Sequence, residues 1–467
     1  MSRVSQTGRF FAVGGAVQPN RPCYIERAAD TALLQGILDR QFCYILAPKA
    51  SGKSSLMARA VRDLRAEGQL VAVVDLAQIG MGGESAGGAE AGRWSYSIAY
   101  RVLRELRLKA DLQSWWQSKG ALPGEQRLAE FFWEVVLPNT TEPVTVFLDE
   151  IERAIGLPFA KELFGGIRSC YSGRTTEPEL ERLNFVVLGV AAPRQLCPDT
   201  TISPFVEGLR IELPDFNLEE TYGLAPGFGE DTRHGRVALR EIFSWASGQP
   251  FLTQKIARGL ARRGGMPSKL REVLKDQFLG PGARRNEALL SHIRTFLTGR
   301  TRAQRQTLTL LGRVVKGEML LYDPGSLANH LLLLSGVIGV RADGRLAFRN
   351  KLFERIFGRE WVTSEMPFNW RRWSVAATLV AALIGGSIWY VQYVPRPHID
   401  TLTSTMADLD AEMQAHDRLG RLPGFAGIAD RLLASVMERR SREAASFEEV
   451  SSLDAVLRGL EGYGDLA

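Results

Sequence analysis

The chain has little cysteine and little histidine. Cys23, Cys43, Cys170 and Cys197 are scattered through its first half without a Cys-x-x-Cys pair, so neither a disulfide framework nor a zinc site is expected. Five isolated histidines, with no two at ligand spacing, point the same way. The apolar start from Gly8 to Val17 is short, broken by glycines and without a cleavage-like site. It reads as a strand or hairpin, and a secretory signal is not expected. Long uncharged apolar runs are also scarce, with one exception near residue 380. At 467 residues, 45% apolar and 24% charged, the composition is that of a folded protein of about two to four domains.

Ala47 to Ser55 read Ala-Pro-Lys-Ala-Ser-Gly-Lys-Ser-Ser, between the apolar run Phe42 to Leu46 and the helix-like Leu56 to Ala60. A strand, a small-residue loop and a helix start in this order form a phosphate-binding loop. The backbone N–H groups of Ala47, Pro48, Lys49, Ala50, Ser51, Gly52, Lys53, Ser54 and Ser55, Pro48 excepted, are available to wrap nucleotide phosphates. Lys53 would reach the β and γ phosphates, and Ser54 would ligate Mg²⁺. The helix adds its N-terminal partial charge. The pattern normally opens with Gly, and Ala47 tolerates most turn conformations but not all. A second motif, Val144 to Glu150, is an apolar strand ending in two carboxylates. Asp149 is expected to hold Mg²⁺ and Glu150 to polarise the attacking water, so Lys53 and Glu150 are the catalytic candidates and Ser54 and Asp149 the metal candidates. Read alone, the second motif would be a buried strand with a solvated acidic turn.

The exceptional apolar run is Ser374 to Val394, 21 residues without a charge, enough at about 1.5 Å per residue to cross a hydrocarbon core of ~30 Å. Trp370 and Trp373 mark one end, Trp389, Tyr390 and Tyr393 the other, and Pro395-Arg396-Pro397 is expected to stop the helix. Arg359, Arg371 and Arg372 precede the run and only Arg396 follows closely, which places the N-terminal side in the cytosol and the tail, in a bacterium, in the periplasm. Charge is uneven elsewhere too. Phe251 to Leu320 carries 15 Lys or Arg against Glu272, Asp276, Glu287 and Glu318, in a chain of net charge +6. Such a module could meet anionic lipid or nucleic acid, or simply be solvated.

Along the chain, Leu70 to Leu76 reads as a second buried strand, Gly80 to Gly92 as a small-residue loop, Tyr96 to Leu108 and Arg127 to Val136 as helices, Pro158 to Tyr171 as a helix and Asn184 to Val190 as a fourth strand. Strands alternating with helices indicate an α/β fold, a parallel sheet with helices on both faces. Leu218 to Lys275 reads as helical, interrupted at Ser247 to Pro250. Helices at 302–315 and 326–334, strands at 336–341 and 345–349 joined at Asp343-Gly344, and a helix at 351–361 suggest a winged helix. In the tail, Ile399, Leu402, Met406, Leu409 and Met413 are spaced 3 and 4 apart, too briefly for a coiled coil, so ordinary helix packing is expected. Helices are also expected at 426–439 and 447–460.

The ordered segments Tyr24-Ile25-Glu26-Arg27-Ala28-Ala29-Asp30, CYILAPKASGKSSLM, FLDEIE, FGGIRSCY, FVVLGVAAP and FSWASGQPFLTQ resemble the bacterial AAA-like domain of signal-transduction ATPases with numerous domains, the STAND class. The resemblance spans about Phe10 to Trp361. It implies ATP or ADP with Mg²⁺ as ligands, a closed ADP form, opening and self-association on ATP exchange, and an unknown protein partner. It implies that Arg27 borders the adenine, although Glu26 stands where the family has Gly, and that Pro250 of Gly248-Gln249-Pro250 packs on the base. Arg194 would touch the γ phosphate. Arg168 is a second arginine candidate, for which a surface salt bridge is the plainer reading, and Arg349 and Asn350 are candidates for reporting nucleotide state. Preference for ATP over GTP rests on the resemblance, since no Asn-Lys-x-Asp motif is evident.

These readings give a P-loop ATPase domain at residues 1–215, a helical lid at 216–280, a winged helix at 281–365, a transmembrane helix at 370–395 and a helical tail at 396–467. The expected function is a membrane-anchored ATP switch of the bacterial inner membrane, with a motor that remodels a membrane or secretion complex as the alternative. Nucleic acid is the minor partner.

Overall fold

A computed structural model describes residues 10–79, 89–157, 159–299, 301–366 and 370–443. The chain divides into two units, residues 1–366 and 367–467.

In the first unit, β1 (Cys43–Leu46), β2 (Leu70–Asp75), β3 (Val144–Asp149), β4 (Leu183–Gly189) and β5 (Leu209–Arg210) form one parallel sheet in the order β2-β3-β4-β1-β5. The strands are nearly continuous apolar runs because both faces are covered. Alternate residues serve the two faces. Tyr44, Val146, Leu148, Phe185 and Val187 join the core under the helices α3 (Ala89–Leu106) and α4 (Phe159–Ser172). Cys43, Ile45, Phe147, Val186 and Leu188 join the core under α1 (Ala28–Leu38) and α2 (Lys53–Ala66). Register then sets the site. Leu46 pairs with Gly189 and Asp75 with Asp149, so β1, β3 and β4 all end at one sheet edge, where open parallel sheets bind ligands.

Beyond the sheet, α5 (Thr232–Ala246), α6 (Pro250–Ala261), α7 (Ala288–Leu297), α8 (Arg302–Val315) and α9 (Leu327–Leu334) precede a hairpin of β6 (Ile338–Val340) and β7 (Leu346–Phe348). Two short helices follow, α10 (Lys351–Ile356) and α11 (Arg359–Glu365). A single apolar core runs from Leu239 and Ile256 through Leu290 and Leu311 to Ile338 and Phe353. The hairpin is not closed by the two-residue turn that Asp343-Gly344 suggests. Arg341 donates to the Arg345 carbonyl (2.9 Å) and Gly344 has φ 79°, a three-residue connection with glycine in the left-handed position. Leu321 adds a bridge to Arg345.

Other expectations shift. Residues 10–17 form neither strand nor hairpin: beyond Phe10 they run irregularly, with Gly14 and Gly15 at positive φ, while Phe11 is buried against Phe228. An apolar start is used here to cap a helical core. Helix α3 begins at Ala89, earlier than the apolar pattern from Tyr96 indicates; most of the small-residue loop, 80–88, lies outside the described residues, as does the helix expected at 447–460. The helix expected at 127–136 starts at Gly124 and widens to π geometry over Phe131–Val136, which buries Phe131, Phe132, Val135 and Val136 together.

In the second unit, α12 (Trp370–Tyr393) ends two residues before Pro395. An 18-residue window within Ala377–Thr403 has a mean hydropathy of 1.4 and is not buried, long and apolar enough by length and composition to cross a membrane. Then α13 (Arg396–Thr403), α14 (Leu409–Gly420) and α15 (Ala426–Glu443) pack around Leu402, Leu419, Leu433 and Met437. The 3 and 4 spacing across residues 399–413 is not one helix face, since the chain breaks after Thr403 and Met406 is 95% exposed. Glu412 is fully buried beside Arg439 and Arg440, with the Arg440 Nε at 2.9 Å.

Candidate nucleotide site

The loop between β1 and α2 meets the carboxylate end of β3 at the sheet edge. Lys49, Ala50, Gly52, Lys53, Ser54, Ser55, Asp149, Glu150 and Pro250 all line one cavity of about 380 Å³, within the usual range for a small-molecule site. Ala47 and Pro48 instead line a second cavity behind the loop, and Ser51 is buried with its Oγ unpartnered. Ala47 does not need glycine: its φ is not positive, and its N–H donates to the Gly189 carbonyl at 3.1 Å. The left-handed positions are Ala50 (φ 62°) and Gly52 (φ 100°), and Gly52 caps α2.

Lys53 Nζ donates to the carbonyls of Ala47 (2.7 Å) and Pro48 (2.9 Å). Burial lowers its pKa to about 8, opposed by Glu152, Asp149 and Glu150. Burial likewise raises the Asp149 pKa, and for Glu150 burial and then the Glu152 carboxylate do so. Asp149 Oδ1 accepts from the Glu150 N–H at 2.9 Å, and Glu150 sits at φ 56°, a conformation costly for a side chain with Cβ. Glu152, which the sequence pattern does not single out, lines the cavity and accepts from the Val190 N–H at 2.9 Å.

The loop is held from behind by residues far away in sequence. Arg27 is not among the residues lining the cavity. Its guanidinium is buried and donates to the carbonyls of Ser51 (3.0 Å) and Pro214 (3.1 Å), over the Phe216 ring. Glu26 needs no glycine geometry and pairs with Arg59 at 2.6 Å. Gln249 is buried and spans two elements: its Oε1 caps α6 at Leu252 N–H (2.6 Å) and its Nε2 donates to the Ala50 carbonyl (2.9 Å). A proline at the first helical position and a side chain that can cap were the signal for it. The irregular N-terminal segment forms another wall. Val17 N–H donates to Ser55 Oγ and Ala12 N–H to Gln254 Oε1, both at 2.9 Å.

Arg194 is exposed and does not line the cavity. It follows Pro193 on the short helix Pro193–Leu196. Arg168 forms a two-pronged pair with Glu207. Arg349, at the end of β7, makes a largely buried two-pronged pair with Asp215 (2.5 and 2.7 Å), next to the Pro214 carbonyl that Arg27 holds. Asn350 caps α10. His292 on α7 has its pKa lowered by burial first and then by Lys49, with Glu152 opposing and Lys53 adding to the shift.

The sheet order, the loop and the acidic strand end define a P-loop ATPase fold. A family model described as "AAA-like domain" matches residues 12–357, and the chain belongs to that family. It is 30% identical over 374 residues to an uncharacterized WD repeat-containing protein of Synechocystis sp., a match covering 76% of this chain and 30% of the relative; this chain thus accounts for under a third of that relative's length. Among solved structures, it is similar to the Walker-type ATPase PABY2304 of Pyrococcus abyssi (14% identity, 74% of this chain and 99% of that one, TM-score 0.45). It is also similar to the ORC2 protein of Aeropyrum pernix (14% identity, 76% and 96%, TM-score 0.45).

Proposed function

We propose that the protein is an ATP-binding, slowly hydrolysing switch of the STAND class, anchored in a membrane by α12. One observation carries the switch reading: the Arg349–Asp215 pair, adjoining the Arg27 contact with the phosphate loop, ties the helix-and-hairpin module to the loop's own support. A change at the loop therefore reaches the hairpin through two contacts. The reading treats the module over residues 281–365 as a winged helix and the helices over 216–280 as a lid.

The residues fit Mg-ATP. Lys53 exchanges the Ala47 and Pro48 carbonyls for phosphate oxygens, and the loop N–H groups and the α2 terminus cradle the phosphates. Ser54 and Asp149 supply the few hard oxygens that Mg²⁺ takes from protein, and the ion would neutralise phosphate charge. Glu150, its basicity raised by burial and by Glu152, orients and deprotonates water. Pro250 and the 12–17 segment bound the rest of the cavity. The exposed faces of Leu379, Leu383, Ile384 and Ile388 support a lipid-covered α12, with the ATPase side cytosolic. The Synechocystis relative is named as WD repeat-containing, as suits a class built from many domains.

Among the described residues no arginine lines the cavity, so a motor reading requires one from a second copy. ATP titration of the detergent-solubilised protein tests the site. Lys53→Ala is expected to lower affinity about 100-fold or more, as loss of a buried charge-assisted contact implies; unchanged affinity would sink the assignment.

A further inference from the structure

Part of the basic stretch converges on one hollow. Arg284 and Arg285, from the short helix Pro281–Asn286, and Arg294 from α7 line a concavity of about 380 Å³ with Trp361 of α11, and Glu365 is the carboxylate among its lining residues. Arg284 and Arg294 each bury an Nε that has no hydrogen-bond partner. Among the described residues neither makes an ion pair, Glu365 included. Three guanidinium groups line one concavity against one carboxylate that does not pair with them; the exposed Arg285 donates its Nε to the Pro281 carbonyl at 3.4 Å, and the remaining donors are to spare. The adjoining concavity adds Arg355 and Arg359, countered by Glu354 and Glu360.

We infer that this concavity binds the phosphate of an acidic phospholipid headgroup. Guanidinium forks match the paired oxygens of a phosphate, and tryptophan beside them suits the headgroup depth of a bilayer. Eight residues of chain lie between Trp361 and Trp370 at the start of α12, a span of at most about 30 Å when extended. The inference rests on the membrane reading of α12. Nucleic acid would need phosphate contacts repeated along a groove, whereas the hollow offers one.

The full chain is reconstituted in nanodiscs of neutral phosphatidylcholine alone or with phosphatidic acid, and hydrogen exchange is followed over residues 281–294. Protection only in the acidic discs is expected, at near-physiological ionic strength. Arg284→Gln with Arg294→Gln should remove it, with the lipid concentration needed rising about five-fold per charge lost; unchanged exchange elsewhere in the variant shows that it folds. Equal protection by inorganic phosphate or a short DNA duplex in neutral discs overturns the lipid assignment. Co-elution with discs but identical exchange in both overturns the proposal alone. Failure to co-elute overturns the membrane reading and the proposal with it.

Discussion

At the scale of single residues, the site concentrates charge that folding places at a disadvantage. Lys53 has its pKa lowered from 10.5 to about 8, so the folded protein holds fewer protons than the unfolded chain between those values, and stability from this group rises with pH across that window. Phosphate binding needs the charged amine. At pH 9, ATP binding should take up about one proton, and at pH 7 almost none, measurable by calorimetry in buffers of different ionisation enthalpy; equal uptake at both would contradict the buried-lysine geometry. For Glu150 the sign is opposite. Its raised pKa means that ionisation costs the folded state, a cost absent at low pH and growing as pH rises above the ordinary carboxylate range. Glu150→Gln should therefore unfold at higher temperature than the parent at pH 7, with the gain shrinking toward pH 4, while hydrolysis is lost. Ala50, left-handed in the loop, gives a separate test: Ala50→Gly should add about 0.5–1 kcal/mol in denaturant unfolding, whereas a loss would show that the loop relaxes. That Lys53, Ser54, Asp149 and Glu150 share one cavity was legible in the sequence because each lies in a short contiguous pattern beside an apolar strand. Arg27 and Glu152 were misjudged or missed because their partners, Pro214 and Val190, lie 187 and 38 residues away.

At the scale of elements, the sheet and most helices followed from apolar runs and their periods, since buried strands and amphipathic helices print their burial on the sequence. What failed were places where tertiary contact overrides pattern. The 10–17 segment is apolar because it packs on the helical core, and the 399–413 spacing straddles a break. Gly248-Gln249-Pro250 was legible as a helix boundary, but its link to the Ala50 carbonyl depends on a contact over 199 residues. Gly248 has φ 76°, and a Cβ there would lie 1.8 Å from the Phe216 carbonyl oxygen. Gly248→Ala should thus cost about 3 kcal/mol or more by backbone clash and left-handed strain, and weaken ATP binding through the displaced Gln249. The hairpin's Arg349 pair is equally nonlocal. Asp215→Asn leaves a largely buried guanidinium undercompensated and is expected to destabilise the hairpin's docking by about 2–3 kcal/mol, seen as faster hydrogen exchange at 337–350 with the sheet unchanged. Exchange unaltered there would remove the pair from the switch.

At the scale of the whole molecule, the family and the architecture meet in a two-part chain: an AAA-like unit with a phosphate-loop motif at its sheet edge, and a helical unit headed by one long exposed apolar helix. Proteins that bind nucleotide at such an edge can use the energy for work or for a change of state, and the two differ in turnover and assembly. On the proposed switch reading, ATP would favour an arrangement that the Arg349–Asp215 pair opposes, and the ligand's differential affinity for the two states would set the response. The direct measurement is the mass of detergent-solubilised Glu150→Gln in ADP and in ATP, beside the turnover rate of the parent protein. The account predicts slow turnover and a larger assembly in ATP than in ADP; fast turnover with one unchanging mass in both nucleotides would contradict it.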